Sequence, residues 1–293
     1  MARQLRPTII ISKKLSRAGA RVAALLQEIG KPILSQYELY HVIGRLYENP
    51  EGLYLRQKSI DRTEFDRIKA NLRAANIIAK DADYGARAYR VNTVPDLPAE
   101  EICCLVDPSC YVSHLSALQR YGLTNRRPVK LTLSRPSNPG RKDKPKSTAE
   151  WLPPQNTSHP DMVRGRKIQL AQTSSPGATI TLRGTSIRIA TVGRCFRDML
   201  SDPELCGGMA HVVSIWKQHA PTYLDEILRE IDACDAAIVK VRAGFILEAE
   251  LGIQDDTIQS WEKFAQRGGS RRLDPEKPYK AKHSEKWMLS INV

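Results

Sequence analysis

The sequence predicts an α+β protein, with an N-terminal winged helix-turn-helix followed by a larger mixed α/β domain that ends in a helical, bundle-like region. Three observations predict this class. Residues 1–95 contain three amphipathic helical patterns and then an alternating hairpin pattern. Short strand-like runs recur over residues 129–192, and helical periodicity follows from residue 194. A length of 293 residues exceeds the usual size of one domain, so we expect two, at residues 1–95 and 100–265, with a basic tail at 266–293.

The first two helices are predicted from their apolar spacing and their end signals. Residues 15–29 carry apolar side chains at helical intervals, and Gly30 ends that pattern. Ser35 begins the second helix, because its hydroxyl and the carboxylate of Glu38 have the spacing of a capping box. The run Asn-Pro-Glu-Gly at residues 49–52 ends it.

The third helix is predicted over residues 61–76, where Phe65, Ile68 and Leu72 share one side. The opposite side combines alanines with arginines. That pattern suits a helix in the major groove of DNA, because alanine lets the backbone approach and arginine pairs with guanine or phosphate. Residues 77–91 then form two predicted strands with a turn between them. Three helices and a hairpin in this order are typical of a winged helix.

The charge of the chain indicates a polyanionic partner. It has 45 basic and 32 acidic residues, a net charge of +13, and residues 1–95 hold seventeen of the basic against nine of the acidic ones. Cations docked on phosphates release condensed counterions, so such a surplus favours nucleic acid. We expect the third helix and the wing to bind double-stranded DNA through Arg62, Thr63, Arg67, Lys69, Ala70, Arg73, Lys80, Arg87 and Arg90. The alternatives are a solvated helix face and a winged helix that binds protein.

A second basic cluster leads into residues 134–158, which are rich in Pro, Ser and Lys and are predicted to form a long surface loop. This segment is either a solvated loop or a second contact to nucleic acid. The second cluster comprises Arg126, Arg127, Lys130, Arg141, Lys142, Lys144 and Lys146.

Before this cluster, residues 109–122 are predicted as a helix. On it the neighbours Ser113 and His114 would point apart and could not pair as nucleophile and base.

Several residue patterns that enzymes and metal sites need are missing from the sequence. It has no Cys-x-x-Cys or His-x-x-x-His pair, no Walker-type loop, and no Asp or Glu followed two residues later by Lys. We therefore expect a binding protein without a catalytic site, metal or cofactor, although a nuclease is the enzymatic alternative. With no signal peptide and no membrane-spanning apolar run, we expect a cytoplasmic protein with reduced, buried cysteines and no membrane partner.

Three segments resemble the AbiE-type abortive-infection antitoxins, the antitoxin partners of type IV toxin–antitoxin systems in phage defence. The segments are YVSHLSALQRYGLT at 111–124, RDMLSDPELCGG at 197–208 and VKVRAGF at 239–245, and they follow one another in the order of that family. The predicted strand at 187–192 also matches the strand that the family places before the second segment. The likeness spans roughly residues 100–250.

The resemblance implies a winged helix that binds inverted repeats in its own promoter and represses its operon. It also implies a C-terminal domain that counteracts a cognate, nucleotidyltransferase-like toxin, directly or indirectly. We assign the antitoxic surface of this domain to the region around Lys240 and Arg242. The long connection between the second and third helices departs from the family. A stand-alone winged-helix transcriptional regulator with a ligand- or protein-binding C-terminal domain is the alternative, and it predicts no neighbouring toxin gene.

Overall fold

A computed structural model of the chain describes residues 15–48, 50, 53, 58–137, 152–154, 157–173, 177–266 and 271–293. It is a mixed α+β structure, as the sequence predicts. The chain forms two compact units, the first from Met1–Ser109 with Asn138–Arg166 and the second from Cys110–Ser137 with Lys167–Val293. No helix in the described ranges is long and apolar enough to cross a bilayer.

The elements are defined here in chain order. The helices are α1 (Arg17–Ile29), α2 (Gln36–Glu48), α3 (Arg62–Ala74), α4 (Ala99–Val106), α5 (His114–Arg120), α6 (Val192–Ser201), α7 (Met209–His219), α8 (Leu224–Asp232), α9 (Ala237–Gly244) and α10 (Asp256–Ser260). The strands are β1 (Ile33–Ser35), β2 (Ile78–Asp81), β3 (Gly85–Val91), β4 (Tyr111–Val112), β5 (Lys130–Pro136), β6 (Met162–Val163), β7 (Arg166–Thr173), β8 (Thr179–Thr181), β9 (Arg188–Ala190), β10 (His283–Ser284) and β11 (Leu289–Ser290). A π-helical turn, Phe245–Glu250, continues α9.

The first unit encloses an apolar core between α1, α2 and α3, to which α3 contributes Phe65, Ile68 and Leu72. The capping box predicted at the start of α2 is confirmed. The amide of Ser35 donates to Glu38 Oε2 at 3.0 Å, and the amide of Glu38 donates to Ser35 Oγ at 3.1 Å. These reciprocal bonds fix where α2 begins.

The sheet of the first unit has the order β1-β3-β2, and both pairings are antiparallel. The predicted hairpin is present as β2 and β3. The sequence analysis missed β1, which pairs Ile33 with Arg90, because a run of three residues is too short for strand alternation to be recognised. The unit also includes α4 and residues 138–166, beyond the segment 1–95.

The strands of the second unit lie in the order β7-β5-β4-β9-β8. β5 runs parallel to β7, and β4 runs parallel to β9 and antiparallel to β5. The helices from α6 onward form much of the remaining core, where the rings of Phe196 and Trp216 meet edge to face with centroids 5.1 Å apart. All six cysteines of the chain are buried and have free thiols, as expected.

One predicted helix of the second unit begins later in the structure. The helix predicted over 109–122 starts only at His114, because residues 111–112 are a strand. At the C-terminal end, within the predicted basic tail, Trp287 and Leu289 are buried. Leu273 and Asp274 are buried too, so the described part of the basic tail also packs onto the unit.

Candidate nucleic-acid interface

The exposed side of α3 carries most of the predicted DNA-contacting residues. Asp61 caps the helix by accepting a hydrogen bond from the amide of Glu64 at 2.8 Å. Burial of the apolar side fixes the rotation of the helix, so the polar side faces solvent. The exposed residues of this side are Arg62, Thr63, Asp66, Arg67, Ala70, Arg73 and Ala74.

The carboxylates of α3 partly neutralise its cations. The Arg67 guanidinium donates to both oxygens of Glu64, at 2.8 and 2.5 Å, and this hydrogen bonding raises the pKa of Arg67. Asp66 lies between Arg62, at 3.8 Å, and Lys69, at 2.6 Å. Any polyanion that binds this face must therefore compete with carboxylates already on the helix.

Lys69, Arg73 and Lys80, three more of the predicted contacts, differ in the exposure of their side chains. The Lys69 side chain is only 15% exposed, and its ammonium lies 4.6 Å from the centre of the Phe65 ring. Lys69 is thus held against the unit, although its charge remains at the edge of the face. Arg73 and Lys80, in contrast, are exposed to solvent.

Arg90 does not lie where a phosphate contact requires it. Its side chain is 20% exposed, and its guanidinium donates to the carbonyls of Pro32 at 2.7 Å, Val91 at 3.0 Å and Val94 at 2.7 Å. These bonds satisfy carbonyls at the end of the sheet. Arg90 therefore has a structural role in the hairpin, and these bonds do not favour its predicted role as a wing contact to phosphate.

The turn between β2 and β3 is covered by a segment of the same unit, residues 157–164. Arg87 is exposed, but its Nη1 donates to the carbonyl and the hydroxyl of Ser158, both at 2.9 Å. Tyr84 lies under this contact, with its hydroxyl 2.8 Å from Nδ1 of His159. His159 Nε2 in turn lies 3.8 Å from Asp107 Oδ2. The predicted role of Arg87 on a free wing is not favoured by these contacts.

Arg164 is the main cation at this turn, and the sequence analysis did not single it out. It pairs with Asp81 at 2.7 Å and with Asp96 at 3.0 Å, and it also donates to Asp83. Burial tends to raise the pKa of Asp81, but hydrogen bonds from Arg164 and from the amides of Tyr84 and Asp83 outweigh it, so this pKa lies below its ordinary value. More than eighty residues separate Arg164 from Asp81, so no local pattern connects them.

The second basic cluster is described only in part. Arg126, Arg127 and Lys130 are exposed in the second unit. Arg126 Nη1 donates to the carbonyl of Gly207 at 2.9 Å, which holds this side chain in place. Arg141, Lys142, Lys144 and Lys146 lie outside the described residues.

Ser113 and His114 contact each other, contrary to the argument that they point apart. Ser113 is the extended N-cap residue of α5, and His114 has a φ of 49°, so His114 Nδ1 comes within 2.9 Å of Ser113 Oγ. The hydroxyl of Ser134 donates to the same oxygen at 2.7 Å, and His114 Nε2 lies 3.6 Å from Asp202 Oδ2. Ser113 is fully buried, so this network links β4, β5 and the end of α6 without bringing its hydroxyl to the surface.

The cations proposed for the antitoxic surface are buried as well. Arg242 donates to the carbonyl of Leu200 at 2.6 Å and of Arg272 at 3.1 Å, and burial lowers its pKa to about 10. Lys240 is 8% exposed and donates to the carbonyl of Asp232 at 2.8 Å. Both residues hold the fold of the second unit, and we correct their assignment to a partner-binding surface.

Comparisons with known proteins give a fold relation and no family. No family model matches the chain, and no curated protein sequence matches it at a significant level. Among solved structures, the chain is similar to the crystal structure of the RV2827C protein from Mycobacterium tuberculosis, with a TM-score of 0.50 and 10% sequence identity. The match covers 95% of this chain and 92% of that one. At this identity the likeness concerns the fold alone.

Proposed function

We propose that the first unit is a winged helix that binds double-stranded DNA with α3 in the major groove, and that the protein is an autorepressing antitoxin of a type IV toxin–antitoxin system. One observation carries the DNA-binding part. The helix α3 has a buried apolar side and an exposed side of arginine, threonine and alanine. It follows two other helices and precedes the hairpin of a sheet ordered β1-β3-β2.

The exposed side of α3 has the shape that a groove-binding helix needs. Thr63, Arg67, Ala70 and Ala74 follow one another at intervals of three or four residues, so they form one stripe along the helix. The thirteen residues of α3 span about 20 Å. The alanines allow close approach to base edges, while Arg67 is placed to pair bidentately with guanine.

The structure favours fewer DNA-contacting residues than the sequence predicts. Because Arg90 and Arg87 are bonded within the unit, the phosphate contacts fall to the exposed cations around α3 and on β2. These are Arg62, Arg73 and Lys80, with Arg67 reading bases. The footprint proposed here is accordingly dominated by one helix.

The antitoxin part rests on the three motif segments. In the second unit these segments lie against one another, since Arg242 of the third donates to Leu200 of the second and His114 of the first approaches Asp202 of the second. The three segments therefore belong to one folded core, which supports the proposal. Promoter binding by an antitoxin of this kind requires the DNA-binding unit proposed above.

Fluorescence anisotropy tests DNA binding. The wild type is titrated with the duplex upstream of its own gene and with a scrambled duplex, beside the Arg67→Ala/Arg73→Ala variant. We expect preference for the promoter duplex and a loss of about tenfold to a hundredfold in the variant, since each good base contact contributes about 1–3 kcal/mol. Arg45→Ala, which removes an exposed arginine of α2, is the matched control. Equal binding to both duplexes that the double variant leaves unchanged would contradict the proposal.

Co-expression tests the antitoxin role. The chain is expressed with the nucleotidyltransferase-like reading frame expected beside its gene, and growth is compared with the toxin expressed alone. We expect restored growth with the wild type and with the Arg67→Ala/Arg73→Ala variant when both genes are under foreign promoters. Specific promoter binding without any rescue of growth would instead favour the stand-alone regulator.

A further inference from the structure

The second unit has an open cleft between residues 122–126 and the exposed side of α7, with a volume of about 340 Å³. This volume lies within the range of small-molecule sites. The cleft belongs entirely to the second unit, and the proposed DNA-binding function makes no use of it. It is therefore a separate candidate for ligand binding.

The cleft is lined by hydrogen-bond donors. Its polar side chains are those of Thr124, Asn125, Arg126, His211, Ser214, Gln218 and His219. None of the described residues that line it carries a carboxylate. A concave surface with a guanidinium, amides, a hydroxyl and imidazoles but no acid is suited to an anion.

Arg126 is fixed at the cleft by contacts on two sides. Its Nη1 donates to the carbonyl of Gly207 at 2.9 Å, and its amide donates to Thr124 Oγ1 at 3.1 Å. Gly207 has a φ of 92°, and a Cβ there would lie 2.9 Å from Arg126 Nη1 and 3.0 Å from His211 Cδ2. Glycine at 207 thus permits the close approach of both side chains. The guanidinium keeps further N–H donors for a ligand, since arginine has five.

His211 adds a neutral ring to the same wall. Its Nε2 lies 2.9 Å from the hydroxyl oxygen of Thr124, which is itself 8% exposed. Burial first, and then the charge of Arg126, lower the pKa of His211. The two side chains are therefore held in one arrangement before any ligand arrives, which reduces the cost of ordering them on binding.

We propose that this cleft binds a phosphoryl group, supplied either by a free nucleotide or by the backbone of a nucleic acid. A phosphoryl group is tetrahedral, so its terminal oxygens, three in a nucleoside monophosphate and two in a backbone diester, point out of one plane and can accept from Arg126 and from donors of α7 together, whereas both oxygens of a carboxylate lie in one plane. The fixed guanidinium supplies the charge, and the volume beyond one phosphate accommodates the attached nucleoside.

Calorimetry tests the site with inorganic phosphate, adenosine monophosphate and a short DNA duplex. The duplex arm uses protein that carries Arg67→Ala/Arg73→Ala, so that binding by α3 does not obscure the result. Arg126→Met removes the charge and keeps the stem. Gln218→Glu places a carboxylate in the cleft at an exposed position where folding is not at stake. Arg127→Met is the matched control, because Arg127 is exposed next to Arg126 but does not line the cleft.

We expect both cleft variants to weaken binding by about tenfold or more, the loss of one charge-assisted contact, and the control to change it less than about twofold. If the cleft variants weaken the binding of phosphate or of the mononucleotide, the source is a free nucleotide. If they weaken the binding of the duplex alone, the source is the nucleic-acid backbone. Equal losses in Arg126→Met and Arg127→Met, or no saturable binding of any probe, would overturn the proposal. Each of these results is independent of whether α3 recognises the promoter.

Discussion

At the scale of single residues, the pairing of Arg67 with Glu64 would limit how freely α3 can bind DNA in the proposed complex. Both oxygens of Glu64 accept from the guanidinium, so a guanine or phosphate must displace a carboxylate to bind it. The exchange replaces one charge-assisted pair by another, and part of the binding energy is lost in the replacement. If α3 binds DNA as proposed, we expect the acids on this face to limit non-specific affinity and leave discrimination to the bases.

Substitution of Glu64 by Gln is expected to increase DNA affinity. The variant frees Arg67 and removes a negative charge from the face, so anisotropy should report binding about twofold to tenfold tighter, with a greater gain on scrambled DNA. The substitution keeps the backbone amide of residue 64, which donates to the capping carboxylate of Asp61, so α3 should remain folded. Unchanged affinity on both duplexes would mean that Arg67 takes no part in binding.

Gly244 is expected to tolerate no side chain. A Cβ at this position would lie 2.1 Å from Cη2 of Trp287, a buried ring whose indole nitrogen donates to Glu248 Oε2 at 2.9 Å. Gly244→Ala should therefore lower the free energy of unfolding by about 1–3 kcal/mol, measured by urea denaturation. Gly44→Ala is the control, because Gly44 lies within α2 with no atom near its Cβ and should stabilise the protein slightly. A stable Gly244→Ala variant would show that Trp287 does not pack against α9.

At the scale of elements, the sequence pattern predicts those helices and strands that nearby residues determine. The helices α1, α2 and α3, the capping box at Ser35 and the hairpin of β2 and β3 all follow from spacing within a few residues. The strand at residues 111–112 was predicted as helix, because its apolar spacing is too short to distinguish the two structures.

The candidate site was less predictable, because side-chain partners distant in sequence decide it. Arg87 and Arg90 look like wing cations in a linear pattern, yet Ser158 and the carbonyl of Pro32 bind them. The bond between Ser113 and His114 depends on a positive φ at His114, which no helical pattern contains. The sequence could place cations on elements, but it could not separate those that support the fold from those that face solvent.

Arg164 is expected to stabilise the hairpin turn through its ion pair with Asp81. This contribution to the free energy of unfolding should depend on pH. Arg164→Met should lower the free energy of unfolding at pH 7 by about 3 kcal/mol, because it leaves the 1% exposed side chain of Asp81 charged without its cation. The pKa of Asp81 is depressed in the folded state, so its contribution is present above the ordinary carboxyl pKa of about 4 and is lost as the pH falls below it. The difference between the wild type and the variant should therefore shrink in urea denaturation as the pH falls below the ordinary carboxyl range and through the depressed pKa of Asp81. A difference that stays constant with pH would contradict the ion-pair account, and Lys80→Ala serves as an exposed control in the same hairpin.

At the scale of the whole molecule, the net charge of +13 gives the proposed DNA binding two alternative sources, one face of α3 or the general surplus of cations. The structure distributes exposed cations over both units, including Arg126 and Arg127 in the second. A localised interface and a diffuse one make different predictions for salt dependence, because only docked cations release counterions.

The salt dependence of promoter binding is the measurement that separates these two cases. If Arg62, Arg67, Arg73 and Lys80 contact DNA, the logarithm of the association constant should fall with the logarithm of salt concentration with a slope of about −3.6, or about −0.9 for each cation docked on a phosphate, and somewhat less if Arg67 reads a base. Lys80→Ala should make the slope shallower by about one contact, while Arg45→Ala should leave it unchanged. A slope far steeper than this, which no single substitution alters, would assign binding to the charge of the whole protein, and the face of α3 would then have no special role.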